Sequence, residues 1–426
     1  MNTEVMIERI QAGELDEKLI DIYVDEGMLD YQRNRYVEAI KHFEYSYGAG
    51  EAELYSAPGR SEVGGNHTDH QHGKVLAASI NLDTIGIARK TEDGLIKIIS
   101  DDYDEVVISI DDLKIKEEEK ETTKALIKGV VAGFVERGYK VGGFCAYATS
   151  DVLIGAGLSS SAAFETLVGT ILSGLFNNMS ISAIEIAIIG QYAENVYFGK
   201  PCGLMDQMAC SVGNLVHIDF EDPTNPQVEK LDFNMSDYGY SLCITDTKGS
   251  HADLTHEYAA VPQEMKAVAS YFGKSVLREV EQLDVIKSIP VLREKLGDRS
   301  VLRAMHFFEE NERVKKEVAA LKQGEMGVFL DTVKASGDSS FKYLQNVYAN
   351  CDVANQNISV ALLMSDITLK SNGVSRVHGG GFAGTIQAFV KNEMVLPYKM
   401  QMDAIFGEGS CKALRIRKYG GIKVIE

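Results

Sequence analysis

Apolar positions change period several times along the chain, and each change marks an element. Residues 1–45 carry Ile20, Tyr23, Val24 and Leu29 as candidate buried positions, which predicts one or two surface helices. Strand-like runs follow at 77–89 and 95–98. Leu126, Ile127, Val130, Val131, Phe134 and Val135 then fall on one helical stripe, and Gly138 offers a stop. After a strand-like run at 144–148 comes a second helical stripe, Phe164, Leu167, Val168, Ile171, Leu172 and Leu175. The second half predicts a long helix around 301–321, helical pieces to about 369, short strands about a glycine-rich turn, and a final strand at 422–425. Strands and helices mixed in both halves predict an α+β protein rather than a repeating βαβ array. Residues 222–228 hold Pro223 and Pro226 and no apolar period, which sets an expected division into domains 1–225 and 226–426.

Composition changes this picture little. A chain of 426 residues is long enough for two cores. No apolar run reaches transmembrane length, and the opening residues are too polar for a signal peptide, so a cytoplasmic protein is expected. Six scattered cysteines with no CxxC pair predict free thiols rather than disulfides or a zinc site. The net charge of −19 argues against nucleic-acid and acidic-membrane partners, though not against a bound nucleotide. Oligomeric state is not legible. The charge-rich stretch 111–123 reads as a solvated loop.

Three clusters carry chemistry. The first runs Gly155, Ala156, Gly157, Leu158, Ser159, Ser160, Ser161, Ala162, Ala163, immediately before the second helical stripe. Glycines allow close backbone approach, and a helix N-terminus with free N–H groups favours an anion. A serine hydroxyl there reaches a magnesium ion bridging phosphates. A Walker lysine is missing, which disfavours a P-loop NTPase. The second cluster is Ala57-Pro58-Gly59-Arg60, then Gly64-Gly65-Asn66-His67-Thr68-Asp69-His70. It gathers a cation, a carboxylate, amides and imidazoles into a glycine-flanked loop, the set that a polyhydroxylated ligand requires. The crowding of His67, Asp69, His70 and His72 matches no standard zinc spacing. The third, Val377-His378-Gly379-Gly380-Gly381-Phe382-Ala383-Gly384, offers a tight loop beside a substrate or a flexible hairpin.

In this order the clusters resemble the GHMP small-molecule kinases, and the galactokinase family most closely. Two further stretches resemble that family: Ala193-Glu194 with 198–207, and Arg303-Ala304-Met305-His306 with Glu310 and Arg313. The resemblance runs from about residue 43 to 390. It implies a two-domain GHMP kinase fold, with an N-terminal domain like ribosomal protein S5 domain 2, a C-terminal ferredoxin-like α/β sandwich, and the active site in the cleft between them. It implies ATP as co-substrate with Mg2+. Asp206 and Arg60 are expected to flank a sugar's anomeric hydroxyl, and Ser160 and Glu194 to hold the metal. Asn66, His67, Asp69, Gly203 and Tyr258 are expected to contact the sugar, and Gly155, Gly157, Leu158, Ser159, Ser160, Ser161 and Ala162 to bind ATP.

The chain also departs from the family pattern. Where the family reads Arg-Val-Asn-Leu-Ile-Gly-Glu-His, this chain has Arg60-Ser61-Glu62-Val63-Gly64-Gly65-Asn66-His67. Val377 and His378 replace a usual Met and Thr, and the arginine expected shortly after Tyr258 is missing. The implied reaction is phosphorylation of galactose at the anomeric hydroxyl. The altered loop keeps galacturonate, N-acetylgalactosamine and arabinose open as acceptors, and a non-catalytic sugar- and ATP-binding sensor is the reading of another class.

Overall fold

The computed structural model describes residues 1–101, 103–152, 157–200, 202–249 and 254–425. Its strands are β1 (Glu53–Gly64), β2 (Lys74–Lys90), β3 (Leu95–Ser100), β4 (Val106–Ser109), β5 (Phe144–Ser150), β6 (Leu215–Asp219), β7 (Gln227–Leu231), β8 (Tyr240–Asp246), β9 (Gly373–Val377), β10 (Thr385–Lys391), β11 (Cys411–Leu414) and β12 (Ile422–Lys423). The first sheet runs β12-β1-β2-β5-β3-β4, with β6 on β2 and β7 on β6; the second runs β11-β8-β10-β9. Among the described residues, only the β3–β5 pairing is parallel.

Alternation along β1 and β2 sorts side chains to two faces. Tyr55, Ala57 and Ala88 meet the helices Thr123–Glu136 and Ser160–Asn177 through Ile127, Phe134, Leu167 and Ile171. On the opposite face Leu54, Ile85 and Ile87 meet Leu19, Tyr36, Ile40 and Phe43. The chain's first 47 residues therefore form three helices, Thr3–Gln11, Asp16–Tyr23 and Leu29–Tyr47, that cover the sheet rather than lie free on the surface. Of the four positions singled out there, Tyr23 is buried, while Ile20, Val24 and Leu29 are half-buried; Leu19 and Ile22 take the inner stripe. In the next stripe Val135 turns outward.

The two sheets share a third core, in which Val63, Leu76 and Ala78 pack with Leu242, Ile244 and Phe389. Val314 and Val318 of the long helix Asp298–Gln323 close it. The proline-bearing stretch after 221 is the turn between β6 and β7, opened where Asp222 Oδ1 accepts the Thr224 N–H at 2.9 Å. A division at 225/226 thus falls inside a hairpin of the first sheet, and β12 returns to β1 from the far end of the chain. Buried Arg417 secures that return by donating to Asp83 at 2.9 Å, a carboxylate that Arg35 also meets at 2.6 Å. The stretch 111–123 is not wholly solvated, because Glu119 accepts from the buried Lys128.

Candidate active site

Arg60 projects from β1 beside two register shifts, at Pro58/Arg60 and Glu62/Gly64. Such bulges re-aim side chains, and here they turn what the sequence reads as a loop into the irregular end of a strand. Leu158 and Gly157 anchor it to the serine loop: the Leu158 carbonyl accepts the Arg60 N–H at 3.0 Å, and the Gly157 carbonyl accepts from Nη1. The rest of the guanidinium clasps Asp206 in a fork, Nε to Oδ1 at 2.7 Å and Nη2 to Oδ2 at 2.6 Å. Asp206 opens the short helix Met205–Val212, where its charge also suits the dipole.

Ser159 Oγ donates to the same carboxylate. It stands at the N-cap of Ser160–Asn177 with φ of 58° and makes no capping bond, so its hydroxyl serves Asp206 instead of the helix. That leaves the helix entrance for another acceptor. Withdrawal from water pushes the Asp206 carboxyl up, but Arg60 beside it and the Ser159 hydroxyl hold it below the usual carboxylate range. About a third of its side-chain surface stays open. Asp206 is therefore an ionised acceptor at neutral pH, reachable by a ligand hydroxyl.

Leu158 and Ala162 bury their side chains in the inter-sheet core, so the serine loop offers its backbone and the hydroxyls of Ser160 and Ser161. Gly155, also expected to bind ATP, lies outside the described residues. Gly157, at φ of 67°, packs against Thr385 and His378, which puts the serine loop beside the glycine-rich turn after β9.

Asp69 sits close to Gly203, where an added Cβ would fall 2.1 Å from Asp69 Oδ2; the glycine makes that approach possible. Burial and the nearby Asp206 charge raise the Asp69 carboxyl. His67 accepts a left-handed φ of 57° and pairs through Nε2 with the Gly380 carbonyl at 3.0 Å. Burial lowers it to about 4 and His70 to about 3, so both rings are neutral. His70 Nε2 is buried without a hydrogen-bond partner. Tyr258 donates to the Gly381 carbonyl at 2.8 Å and sets its ring against Phe382. Among the described residues, His67, Asp69, His70 and His72 do not gather into a metal-binding group.

Asn66 behaves differently from the expectation. Its Nδ2 donates to Glu62 Oε1 at 2.9 Å and to the Gly379 carbonyl at 2.7 Å, while Oδ1 accepts from Ser340 at 3.2 Å and Asn346 at 2.9 Å. Two donors and two acceptors exhaust an amide, so this side chain clasps the two halves together and keeps nothing for a sugar. Glu62, beneath it, is raised to about 7 by burial, against the pull of Arg376 at 2.9 Å. His378, which no sequence argument assigned a role, receives the Glu62 N–H on Nε2 at 3.3 Å and faces Thr385 Oγ1 through Nδ1 at 3.0 Å.

Glu194 lies buried in the π-type turn Ala193–Phe198 that follows the helix Ala183–Tyr192. Its Oε2 accepts from Gln207 Nε2 at 2.8 Å, and Glu165 Oε2 accepts from the same nitrogen at 3.0 Å. Gln207 was legible only as the neighbour of Asp206, and Glu165 only as a polar interruption of an apolar stripe. The carboxylates fit a hard cation: Glu165 Oε1 and Gln207 Oε1 are buried acceptors without a donor, the condition a hydrated Mg2+ relieves.

Comparison with known proteins matches this geometry. The galactokinase galactose-binding signature covers residues 41–90, and the GHMP kinases N terminal domain covers 125–214. A galactokinase of Glaesserella parasuis serovar 5 (strain SH0165) is 32% identical over 357 residues, 83% of this chain and 89% of the relative. The structure of Lactococcus lactis galactokinase complexed with galactose superposes with a TM-score of 0.75 at 23% identity, over 90% of this chain and 98% of that one. A mevalonate kinase structure follows with a TM-score of 0.61 at 14% identity, over 86% of this chain and 99% of that one. The α+β architecture with two sheets is therefore the GHMP kinase fold. The Arg60–Asp206 clasp, the serine-loop helix entrance and the signature strand β1 all lie in or beside matched segments, and the chain belongs to the galactokinase family, an enzyme family of sugar kinases that use ATP.

Proposed function

We propose that this enzyme transfers the γ-phosphoryl group of ATP to the anomeric hydroxyl of galactose or a close galactose-like sugar, giving sugar 1-phosphate and ADP. The observation that carries the reading is the forked Arg60–Asp206 pair joined by Ser159 at a helix entrance. A phosphate at that entrance meets unpaired N–H groups and the positive end of the helix. The sugar hydroxyl, held by Asp206, faces it in line. As the oxygen–phosphorus bond forms and the bond to the leaving ADP oxygen breaks, the hydroxyl proton passes to Asp206. Because Arg60 keeps that carboxylate ionised, Asp206 is a weak base, and its larger contribution is orientation. Arg60 adds positive charge beside the transferring group.

Asp69, Gly203, His67 and Tyr258 are the proposed sugar wall, and Ser160 with Glu194 would hold Mg2+, which would supply positive charge to offset that of the phosphates. A cytoplasmic location accords with the six free cysteines. No helix of the described residues is long and apolar enough to cross a membrane.

A second acceptor is favoured by one observation. Asn66 is neutral and saturated, and Glu62 is turned to Arg376, so neither opposes a carboxylate at the sugar's six-position. An acceptor panel of galactose, galacturonate, N-acetylgalactosamine and arabinose, with ATP and Mg2+, tests both readings through ADP release and phosphorus NMR. Preference for galactose ends the second reading, and preference for galacturonate establishes it. Binding of ATP and sugar with no phosphorylated product at high enzyme concentration would sink the kinase reading and leave a sensor.

A further inference from the structure

Beside Asp206 lies a group that phosphoryl transfer, as described, does not use. Gln207 places one nitrogen between two carboxylates, at 3.0 Å from Glu165 Oε2 and 2.8 Å from Glu194 Oε2. Its orientation suits both acid groups, since the amide N–H groups donate where an amide oxygen would meet acceptor lone pairs, and burial with the Glu194 charge pushes the Glu165 carboxyl well up. Three elements converge to make this arrangement: Glu165 on Ser160–Asn177, Glu194 on the π-type turn, and Gln207 on Met205–Val212. Room for it comes from Gly190, where an added Cβ would meet Glu165 Oε2 and Gln207 Cγ at 3.1 Å each. Glu165 is 1% exposed and Gln207 fully buried, yet Oε1 of each has no donor. Buried polar atoms in folded proteins almost always have partners, so two orphans on one cluster require an explanation. Among the described residues, the ion pair at this cluster is Lys200 to Glu194, at 3.8 Å, and Lys200 is itself two-thirds exposed. Arg60 is committed to Asp206.

We propose that Glu165 is a positioning residue of the divalent-cation site: through Gln207 it fixes the Glu194 carboxylate, and with Gln207 Oε1 it accepts hydrogen bonds from waters carried by the cation. Mg2+ gives up its water reluctantly and is held through one or two carboxylates, so donors are present wherever it sits. Groups behind a metal ligand typically change affinity by ~10–100-fold when altered. The inference rests on Glu194 as a metal ligand.

The test is Mn2+ binding to the full chain with ADP present, followed by electron paramagnetic resonance of free Mn2+, for wild type, Glu165→Gln, Glu165→Asp and Glu194→Gln. Glu165→Gln should weaken Mn2+ by about 10-fold and raise the Mg2+ concentration for half-maximal turnover by the same factor. Turnover at saturating Mg2+ and sugar affinity should stay within about threefold, a split that mere loss of packing would not produce. Glu165→Asp keeps the carboxyl group with a shorter reach and should fall between; it carries the test if Glu165→Gln does not fold. Should Glu194→Gln lose Mn2+ while both Glu165 variants bind it like wild type, the role of Glu165 is overturned alone. Should Glu194→Gln bind Mn2+ normally, the metal reading falls and this inference with it.

Discussion

Two neighbouring regions of this site are held by opposite physics. Around Asp206 the fixing forces are charged: a forked guanidinium–carboxylate pair, reinforced by the Ser159 hydroxyl. Around Asn66 they are mostly neutral: a saturated amide, depressed histidines and backbone carbonyls, stitched from β1 to Ser340, Asn346 and Gly379, with the Glu62–Arg376 pair as the charged exception. The first region keeps its charge across the physiological range, because each partner stabilises the ionised form of the other. The second holds only while its imidazoles stay unprotonated and no extra charge enters. In the proposed reaction the chemistry falls to the charged half, while the neutral half joins the two sheets and lies beside the proposed sugar wall.

The largest break expected is in the charged half. Asp206→Ala should lower turnover at least ~10²-fold with ATP binding retained, as for the loss of a positioned acid–base group. Arg60→Ala should act alike and weaken sugar binding. Arg60→Lys should recover little, because an ammonium cannot reproduce the fork. Steady-state turnover with a separate ATP-binding titration decides this; near-normal turnover in Asp206→Ala would refute the assigned roles.

Next in size is a charge placed in the neutral half. Asn66→Glu restores the residue type of the family pattern but sets a carboxylate where Asn66 Nδ2 now donates to Glu62 at 2.9 Å. Two buried acids at that distance should cost at least ~2 kcal/mol. Exchanging both residues, Glu62→Asn with Asn66→Glu, should recover more than ~1 kcal/mol of it, since the cavity again holds one carboxylate and one amide. Denaturant unfolding of the four proteins measures the coupling. Additive losses would show that the two positions were not exchanged as a pair.

This exchange marks where the sequence was readable and where it was not. Motif order carried the family resemblance, and the structure brings Arg60 and Asp206 together as a forked pair, while Ser159, expected at the phosphates, turns its hydroxyl to Asp206. The main strands and helices were legible from period, as β2 and the helix Asp298–Gln323 illustrate. The saturation of the Asn66 amide depends on residues more than 270 positions away, which no local pattern encodes. The Pro223–Pro226 stretch resembles a linker in composition and is a hairpin turn because β7 finds β6. The N-terminal helices looked superficial because their burial depends on a sheet face supplied later in the chain.

A smaller break uses pH. Burial lowers His378 from 6.5 to about 3. Between those values the unfolded chain binds a proton that the folded one refuses, so this histidine makes stability fall as pH drops below 6.5. From pH 8 to pH 5 the loss is about 2 kcal/mol, at roughly 1.4 kcal/mol per pH unit below the unfolded value. Glu62, raised to about 7, works in the opposite direction, since it gives stability as pH falls from 7 toward 4.5. His378→Gln keeps Glu62 and removes the histidine. Its stability relative to wild type should therefore improve by about 2 kcal/mol from pH 8 to pH 5. A pH-independent difference would show that His378 is not held neutral.

The finest test returns to the charged half and asks how much Ser159 adds to a carboxylate already clasped twice. A single hydrogen bond to a charged group is worth about 1.5 kcal/mol or a little more, and here it supplements two stronger bonds. Ser159→Ala should thus slow turnover only about 10-fold, well short of Asp206→Ala. Its left-handed backbone, at φ of 58°, is strained for alanine and serine alike, whereas glycine adopts it freely. Ser159→Gly should therefore match Ser159→Ala in turnover and exceed it in stability by up to ~1 kcal/mol. Equal melting of the two variants would mean that the loop relaxes when the hydroxyl is lost. The strained turn would then be held by the bond to Asp206, and the charged half would extend its order into the loop that receives the phosphates.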